Sequence, residues 1–213
     1  KKEMKAAAIS MAKKAERLGV DIRMNTKVTP EMIEEIKPHT VMNAIGAESI
    51  IPPIPGVDKA FVKDSHDVLD GKAEATGNVV VIGGGMVGME TAEYLAEKGA
   101  KVSVLEMLPD ICSDMGTTRK ICMGEEIQKS GIIPVTSVKV TEIGDNVVIG
   151  EKDGEKVEFP CDTAVLAIGA KKRDGSALAE TCYKNGIGYF EIGDAAMARR
   201  AINATREAMD AAL

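Results

Sequence analysis

Residues 78–88 read Asn-Val-Val-Val-Ile-Gly-Gly-Gly-Met-Val-Gly, and this stretch decides the fold. Residues 78–82 form a short apolar run, which is typical of a parallel strand that is covered on both faces. The glycines that follow fit the pattern Gly-x-Gly-x-x-Gly, in which a strand passes through a tight turn into a helix. A helical pattern at 86–98 and a strand at 101–106 complete a strand–helix–strand unit.

This glycine pattern predicts a binding site for an adenine dinucleotide. Gly83 makes the tight turn, Gly85 lets a pyrophosphate approach the backbone, and Gly88 lets helix and strand pack closely. Met86 and Val87 open the helix, and the helix N-terminus faces the phosphates. A glycine turn with a purely structural role is the alternative. The strand before the turn and the helix after it favour the binding site.

The identity of the dinucleotide is predicted by Glu106, which ends the second strand. A carboxylate at this position can accept hydrogen bonds from the hydroxyl pair of a ribose. It would repel the 2'-phosphate of NADPH, and no arginine follows immediately to bind that phosphate. NADH is therefore the expected ligand, with a solvated surface glutamate as the alternative reading of Glu106.

Upstream of this unit, hydrophobic periodicity predicts four elements and a linker. These are an amphipathic helix at 2–18, a strand at 20–28, a short helix opening at Thr29, and a strand at 41–45. Residues 51–56 read Ile-Pro-Pro-Ile-Pro-Gly, and the three prolines remove backbone donors. This segment predicts a linker and a domain boundary.

Downstream, the pattern predicts an α/β class. A helix is expected at 117–130, an antiparallel meander at 135–159, a buried strand at 163–168, a strand at 188–192 and an alanine-rich helix at 195–213.

An internal repeat links the two halves of the chain. Residues 40–47 and 163–170 share the pattern Thr-x-x-x-Ala-Ile-Gly-Ala, and duplication explains it better than chance. If each copy ends a nucleotide-binding fold, two glycine fingerprints should precede them, whereas the sequence contains one. The second is expected upstream of Lys1, which would make the chain part of a longer protein.

The composition narrows the class of function. With 27 basic and 33 acidic residues the net charge is -6, so neither a nucleic-acid partner nor an anionic membrane is expected. No apolar run is long enough for a bilayer span, and the N-terminus is not a signal peptide. A cytoplasmic protein is expected.

No cysteine pair has metal-knuckle or redox-dithiol spacing, so no metal site is expected, and His39 and His66 are expected in loops.

Together these motifs resemble those of the two-dinucleotide-domain flavoproteins of the pyridine nucleotide-disulphide oxidoreductase fold. The resemblance extends to the C-terminal half of the bilobed NADH:flavin oxidoreductases related to 2,4-dienoyl-CoA reductase and 2-enoate reductase. It covers nearly the whole chain, and it rests on residues 81–92, both Ala-Ile-Gly-Ala segments, the linker at 52–56 and Ile192-Gly193-Asp194.

The resemblance implies a Rossmann-like fold in which an NAD(P)H-binding domain is inserted into an FAD-binding domain. Residues 1–70 and 171–213 would be the two flanks of a truncated FAD domain, and residues 71–170 the inserted domain. The basic residues 171–173 are expected in a solvated loop, with a contact to an anionic cofactor or a partner domain as the alternative.

The same resemblance implies cofactor contacts outside the glycine pattern. Asp194 would touch FAD, and capping of the last helix is a role that it could fill instead or as well. The further contacts implied are Gly193 beside Asp194, Ala44 and Gly46 at the FAD edge, Val28 near the adenine, and Gly169 beside the nicotinamide path.

The function implied is that of an electron-input module with no catalytic side chain of its own. NADH would pass hydride to FAD, and electrons would leave for FMN and a 4Fe-4S cluster in an upstream flavin-barrel domain of the same polypeptide. The chain alone should not reduce an enoate, a dienoyl-CoA or another terminal substrate. The rival is a non-catalytic scaffold that holds ADP, as a resemblance to trimethylamine dehydrogenase allows.

Overall fold

The computed structural model describes residues 2–113 and 115–213. Their internal contacts divide the chain into two units. The smaller unit contains the chain up to Asn43 together with residues 174–190, and the larger contains residues 44–173 and 191–213. The domain boundaries expected near residues 70 and 170 separate the parts of the chain by the cofactor that each would bind. A division by internal contacts does not test them, so they stay predictions.

Over the residues that the structure describes, the smaller unit is built from three helices and two strands. Thr29 caps its second helix through a 3.5 Å hydrogen bond from the Met32 N–H to Thr29 Oγ1, as the sequence predicts. The two strands pair, and the second and third helices pack together. The elements are α1 (Lys2–Arg17), α2 (Pro30–Ile36), β1 (Thr40–Asn43), α6 (Ser176–Lys184) and β12 (Gly188–Glu191). The last residue of β12, Glu191, is counted with the larger unit.

The strand predicted at 20–28 is wrong, since the structure has irregular backbone there. A strand persists only where a neighbour pairs with its backbone groups and a core covers one of its faces. The alternating side chains Val20, Ile22, Met24 and Val28 are all exposed. The apolar residues alternate as in a strand, but among the described residues no neighbouring strand pairs with this segment.

The larger unit contains the strand–helix–strand unit and its surroundings. Its elements up to the end of that unit are β2 (Ala47–Ser49), β3 (Val62–Asp64), α3 (Ser65–Leu69), β4 (Asn78–Ile82), α4 (Met86–Glu97) and β5 (Lys101–Leu105). Those that follow are α5 (Thr117–Ser130), β6 (Ile133–Val135), β7 (Lys139–Ile143), β8 (Val147–Lys152), β9 (Glu155–Pro160), β10 (Thr163–Leu166), β11 (Ala170–Lys172), a 3-10 turn (Gly193–Ala195) and α7 (Ala201–Ala212).

Five of these strands form a parallel sheet in the order β3-β10-β4-β5-β6. One face carries a core that includes Val79 and Val81 of β4 together with Met89 and Leu95 of α4. The other face carries a second core with Val80 and Ile82, against which the antiparallel β7-β8-β9 sheet packs. Because alternate residues of β4 serve both cores, residues 79–82 are all apolar.

Each copy of the internal repeat leads into one strand of a two-stranded ribbon in the larger unit. Strands β2 and β11 follow the two copies and pair antiparallel, with Ala170 opposite Ser49. Gly46 and Gly169 occupy equivalent places before these strands, and both have positive φ, at 76° and 112°. Only glycine adopts this backbone at low cost, so the repeat preserves a turn as well as a strand.

The solvated loop expected at residues 171–173 is wrong, because Lys171 and Lys172 belong to β11. The Lys171 ammonium lies 3.2 Å from the Glu48 carboxylate on β2, and Lys172 lies 2.8 Å from Glu191. Cross-strand ion pairing and backbone pairing hold the basic residues in place.

The last helix starts later than predicted. Residues 193–195 form the 3-10 turn and α7 begins at Ala201, so Asp194 does not cap it. None of the helices in the described ranges has both the length and the apolar content needed to cross a membrane.

Candidate functional site

The carboxyl ends of four parallel strands line up at one edge of the large sheet. Backbone register places Asp64, Leu166, Ile82 and Leu105, the last residues of β3, β10, β4 and β5, side by side. The chain leaves β4 toward β5 on one side, while β10 returns to its other side. In parallel sheets, ligands bind in the crevice outside such a switch point.

A cavity of about 1160 Å³ opens at this edge, and all its lining residues belong to the larger unit. We call it the carboxyl-edge cavity. Its volume exceeds that of a typical drug-sized pocket, so it can hold an elongated ligand. Of the residues predicted from sequence, it is lined by Gly83, Gly85, Met86, Val87, Glu106, Gly169 and Asp194.

Gly85 lies at the N-cap of α4 with extended backbone, φ -73° and ψ -177°. In the described part of the chain no side chain caps this helix, so the first N–H groups of α4 have no side-chain partner there. A Cβ placed on Gly85 would meet no atom of the described residues within 4 Å. The space beside this backbone is therefore open, and the helix N-terminus beside it offers donors to an anion.

Gly83 and Gly88 are glycines for a different reason. A Cβ on Gly88 would overlap the carbonyl oxygen of Gly83, and one on Gly83 would overlap that of Ala167. Gly83 also has a positive φ of 110°. These two residues permit the close packing of turn, helix and strand, as the sequence predicts, and Gly88 does not line the cavity.

Glu106 uses its carboxylate to hold the backbone around the turn. Its Oε2 accepts the Gly84 N–H at 2.6 Å, and its Oε1 accepts the Leu108 N–H at 2.8 Å. Hydrogen bonds to a charged acceptor are stronger than those between neutral groups. The carboxylate therefore orders both the glycine-rich turn and the segment after β5, while remaining part of the cavity wall.

A charged network surrounds Asp194, which also lines the cavity. The Gly193 N–H donates to Glu207 Oε2 at 2.8 Å, and Glu207 Oε1 pairs with Arg199. The Gly193 N–H, aided by Arg199, holds the pKa of Glu207 below its usual value. Asp194 Oδ1 accepts the Arg199 N–H at 3.2 Å. The network fixes residues 193–199 against α7.

His66 lies in the first turn of α3 and lines the same cavity, so the loop position expected for it is wrong. Its Nδ1 is 3.0 Å from Ser49 Oγ and 3.4 Å from Asp64 Oδ1. The other histidine, His39, lies in the irregular segment before β1.

Several predicted contacts lie elsewhere. Ala44, Gly46 and Gly193 belong to the larger unit but do not line the cavity, and Val28 belongs to the smaller unit. Sequence reasoning missed His66, Arg199 and Arg200, which do line it. The arginines follow the Gly193-Asp194 motif closely, and this proximity was the available signal. For His66 the signal was its place two residues after a strand end.

Comparison with known proteins adds a family match. Residues 6–195 match the family described as pyridine nucleotide-disulphide oxidoreductase. A bilirubin reductase of Mediterraneibacter gnavus is 41% identical over 171 residues, which cover 80% of this chain and 27% of the relative. An NADH oxidase of Thermoanaerobacter brockii is 41% identical over 184 residues, 84% of this chain and 28% of the relative.

The solved structure of a 2-naphthoyl-CoA reductase has the same fold. It superposes with a TM-score of 0.83 at 30% identity, covering 91% of this chain and 29% of the reductase. The chain thus spans under a third of the length of these relatives. These matches confirm the α/β Rossmann-like class and the resemblance to two-dinucleotide-domain flavoproteins predicted from the sequence.

Proposed function

Because the chain belongs to the pyridine nucleotide-disulphide oxidoreductase family, we propose that it is the NADH-binding, electron-input part of a flavin oxidoreductase. In this proposal NADH binds along the carboxyl edge of the parallel sheet and delivers electrons to FAD. Further centres outside these 213 residues, FMN and a 4Fe-4S cluster in a flavin-barrel domain of the same polypeptide, receive them next.

One observation carries the proposal: the uncapped N-terminus of α4 faces open space at Gly85. A pyrophosphate fits such a position because it brings the negative charge and the acceptor oxygens that free N–H groups require. A side chain at Gly85 would occupy the same space. The turn therefore meets the chemical requirements of a dinucleotide phosphate cradle.

Glu106 fits the adenosine ribose of the same ligand. It stands one strand away from the glycine turn, at the end of β5. Its two oxygens each have lone pairs beyond those used by Gly84 and Leu108, so ribose hydroxyls can donate to them as well. A 2'-phosphate at this place would meet a negative charge, and this supports NADH over NADPH.

Residues near Asp194 fit the second cofactor. Asp194, Arg199 and Arg200 line the cavity, so they offer both acceptors and cations to a flavin dinucleotide. We keep Gly193, Gly169, Ala44, Gly46 and Val28 as proposed contacts of the cofactors. When both groups are bound, the nicotinamide supplies a hydride and the flavin accepts it.

The terminal substrate is the most specific part of the proposed function. The relatives include reductases of bilirubin and of an aromatic acyl-CoA, and an NADH oxidase. We propose an enoate or an unsaturated acyl-CoA as the class of final acceptor. These relatives support an oxidoreductase and do not favour a scaffold that only holds ADP.

Calorimetry with NADH and ADP tests this function against the scaffold. NADH should bind the chain more tightly than ADP, because the cavity extends beyond the glycine turn to Gly169 and His66 and gives the nicotinamide half a place to bind. ADP binding as tight as that of NADH, or tighter, would support the scaffold and overturn the proposal.

A further inference from the structure

His66 is a polar side chain at the carboxyl edge to which the account above gives no task. It follows Asp64, the last residue of β3, and β3 is the outermost strand on that side of the sheet. The glycine turn follows β4, and Glu106 follows β5. Along the edge, the order is therefore Glu106, glycine turn, Gly169 and His66.

This order matches the order of groups in a dinucleotide. A ribose at Glu106 and a pyrophosphate at the glycine turn leave the nicotinamide half to extend over β10 toward β3. Neighbouring strands lie about 4.8 Å apart, so the edge from β5 to β3 is about 14 Å long. His66 stands at the end of that path, and it lines the same cavity.

The His66 ring is held in place from two directions. Ser49 Oγ contacts Nδ1 at 3.0 Å, and Ser49 lies opposite Ala170, next to Gly169, in the β2-β11 ribbon. Asp64 Oδ1 lies 3.4 Å from the same nitrogen and also accepts the His66 backbone N–H at 2.8 Å. The ring is thus tied to the turn at Gly169 and to the end of β3.

The Asp64 carboxylate also favours one tautomer, while the Ser49 hydroxyl can either donate or accept. An ionised carboxylate can only accept, so Asp64 favours a proton on Nδ1. In the neutral ring Nε2 is then an acceptor. A primary amide has two N–H donors, and the nicotinamide ring carries such an amide.

We propose that His66, oriented by Ser49 and Asp64, is the residue that recognises the carboxamide of the nicotinamide. The inference rests on the proposed binding of NADH and adds the contact that distinguishes the nicotinamide half from any other group attached to ADP-ribose. Ser49 and Asp64 are positioning residues that act through the ring.

The test compares NADH with ADP-ribose, which has the same adenosine, pyrophosphate and second ribose but no nicotinamide. Calorimetry on His66→Ala should show NADH binding weakened about 2- to 10-fold, the effect of one lost hydrogen bond, and ADP-ribose binding unchanged. His66→Gln should recover part of the NADH affinity, because its side-chain carbonyl also accepts.

His39→Ala is the matched control, since His39 is the other histidine of the chain and does not line the cavity. It should leave both affinities unchanged. In this variant one histidine ring remains, and its proton resonances should shift on addition of NADH but not of ADP-ribose.

The outcomes distinguish a failure of the His66 contact from a failure of the proposed NADH binding. His66→Ala that leaves NADH affinity unchanged, or weakens both ligands equally, overturns the carboxamide contact alone. A native chain that binds neither NADH nor ADP-ribose overturns the proposed function, and the assignment of His66 falls with it.

Discussion

Glu106 links the shape of the site to its selectivity at the scale of a single residue. Its hydrogen bonds to the Gly84 and Leu108 N–H groups need an acceptor, whereas its discrimination against a 2'-phosphate needs a negative charge. Glutamine keeps one acceptor oxygen and removes the charge. Arginine removes both the acceptor and the negative charge.

These differences predict the behaviour of two variants. Glu106→Gln should narrow the preference for NADH over NADPH by about tenfold or more, because the interaction of two charges at intermediate dielectric amounts to about a few kcal/mol. The affinity for NADH itself should fall by a smaller factor. Glu106→Arg should narrow or invert the preference. Calorimetric dissociation constants for NADH and NADPH measure both. Tighter binding of NADPH by the native chain would contradict the role of Glu106.

The glycines show what a residue pattern can and cannot predict. The spacing of Gly83, Gly85 and Gly88 was enough to predict three different roles, because each role follows from local backbone geometry. The contacts of Glu106 with Gly84 could not be predicted. They depend on how closely β5 approaches the turn, which packing determines.

At the scale of elements, helices α4 and α5 bring acidic side chains together away from the site. Burial, and then the negative charges of Glu126, Glu90 and Glu97, raise the pKa of Glu93 on α4. The folded state therefore holds the Glu93 proton more firmly than the unfolded state does. The charged carboxylate costs stability above its folded pKa, and that cost shrinks as the pH falls below the folded pKa and is gone below the unfolded pKa.

Glu93→Gln should accordingly stabilise the chain at pH 7 by about 0.5 kcal/mol, the size of like-charge repulsion between helical neighbours. The gain should shrink toward zero at acid pH, where Glu93 is protonated in both states. Thermal unfolding followed by circular dichroism across this pH range measures it. Asp145→Asn is the control of opposite sign, because Lys59 lowers the pKa of Asp145. A Glu93→Gln chain that is less stable than the native chain at pH 7 would contradict this account.

Elements with local signals were predictable, and those that depend on partners were not. The strand β4, the helix α4 and the capped start of α2 carry apolar periodicity or a capping hydroxyl in their own residues. The segment 20–28 alternates like a strand but lacks a neighbour among the described residues, so it stays irregular. Alanine-rich periodicity predicted the last helix, but the 3-10 turn at Gly193 delays its start.

At the scale of the whole molecule, the larger unit gathers residues from four strand ends and from the segment after Gly193 around one cavity. The glycine turn and Glu106 were predictable because a single strand–helix–strand unit carries them. His66 joins them only through the sheet order β3-β10-β4-β5, which brings residue 66 near residue 169. The spacing of residues in the sequence does not predict that order of strands.

The central claim is that the pyrophosphate of NADH binds at Gly85, and a pair of matched variants tests it. Gly116 is the N-cap of α5, and like Gly85 it has extended backbone. Among the residues that the structure describes, no side chain caps α5 and no atom lies within 4 Å of a Cβ built on Gly116. It does not line the cavity. Valine at either position should leave the fold intact, and only valine at Gly85 should block the phosphates.

The decisive measurement is the dissociation constant of NADH for the native chain, Gly85→Val and Gly116→Val, with circular dichroism to verify folding. We expect Gly85→Val to weaken binding by at least about 100-fold, since several charge-assisted hydrogen bonds are lost together, and Gly116→Val to bind like the native chain. A folded Gly85→Val chain that binds NADH with native affinity would place the phosphate cradle elsewhere and contradict the account.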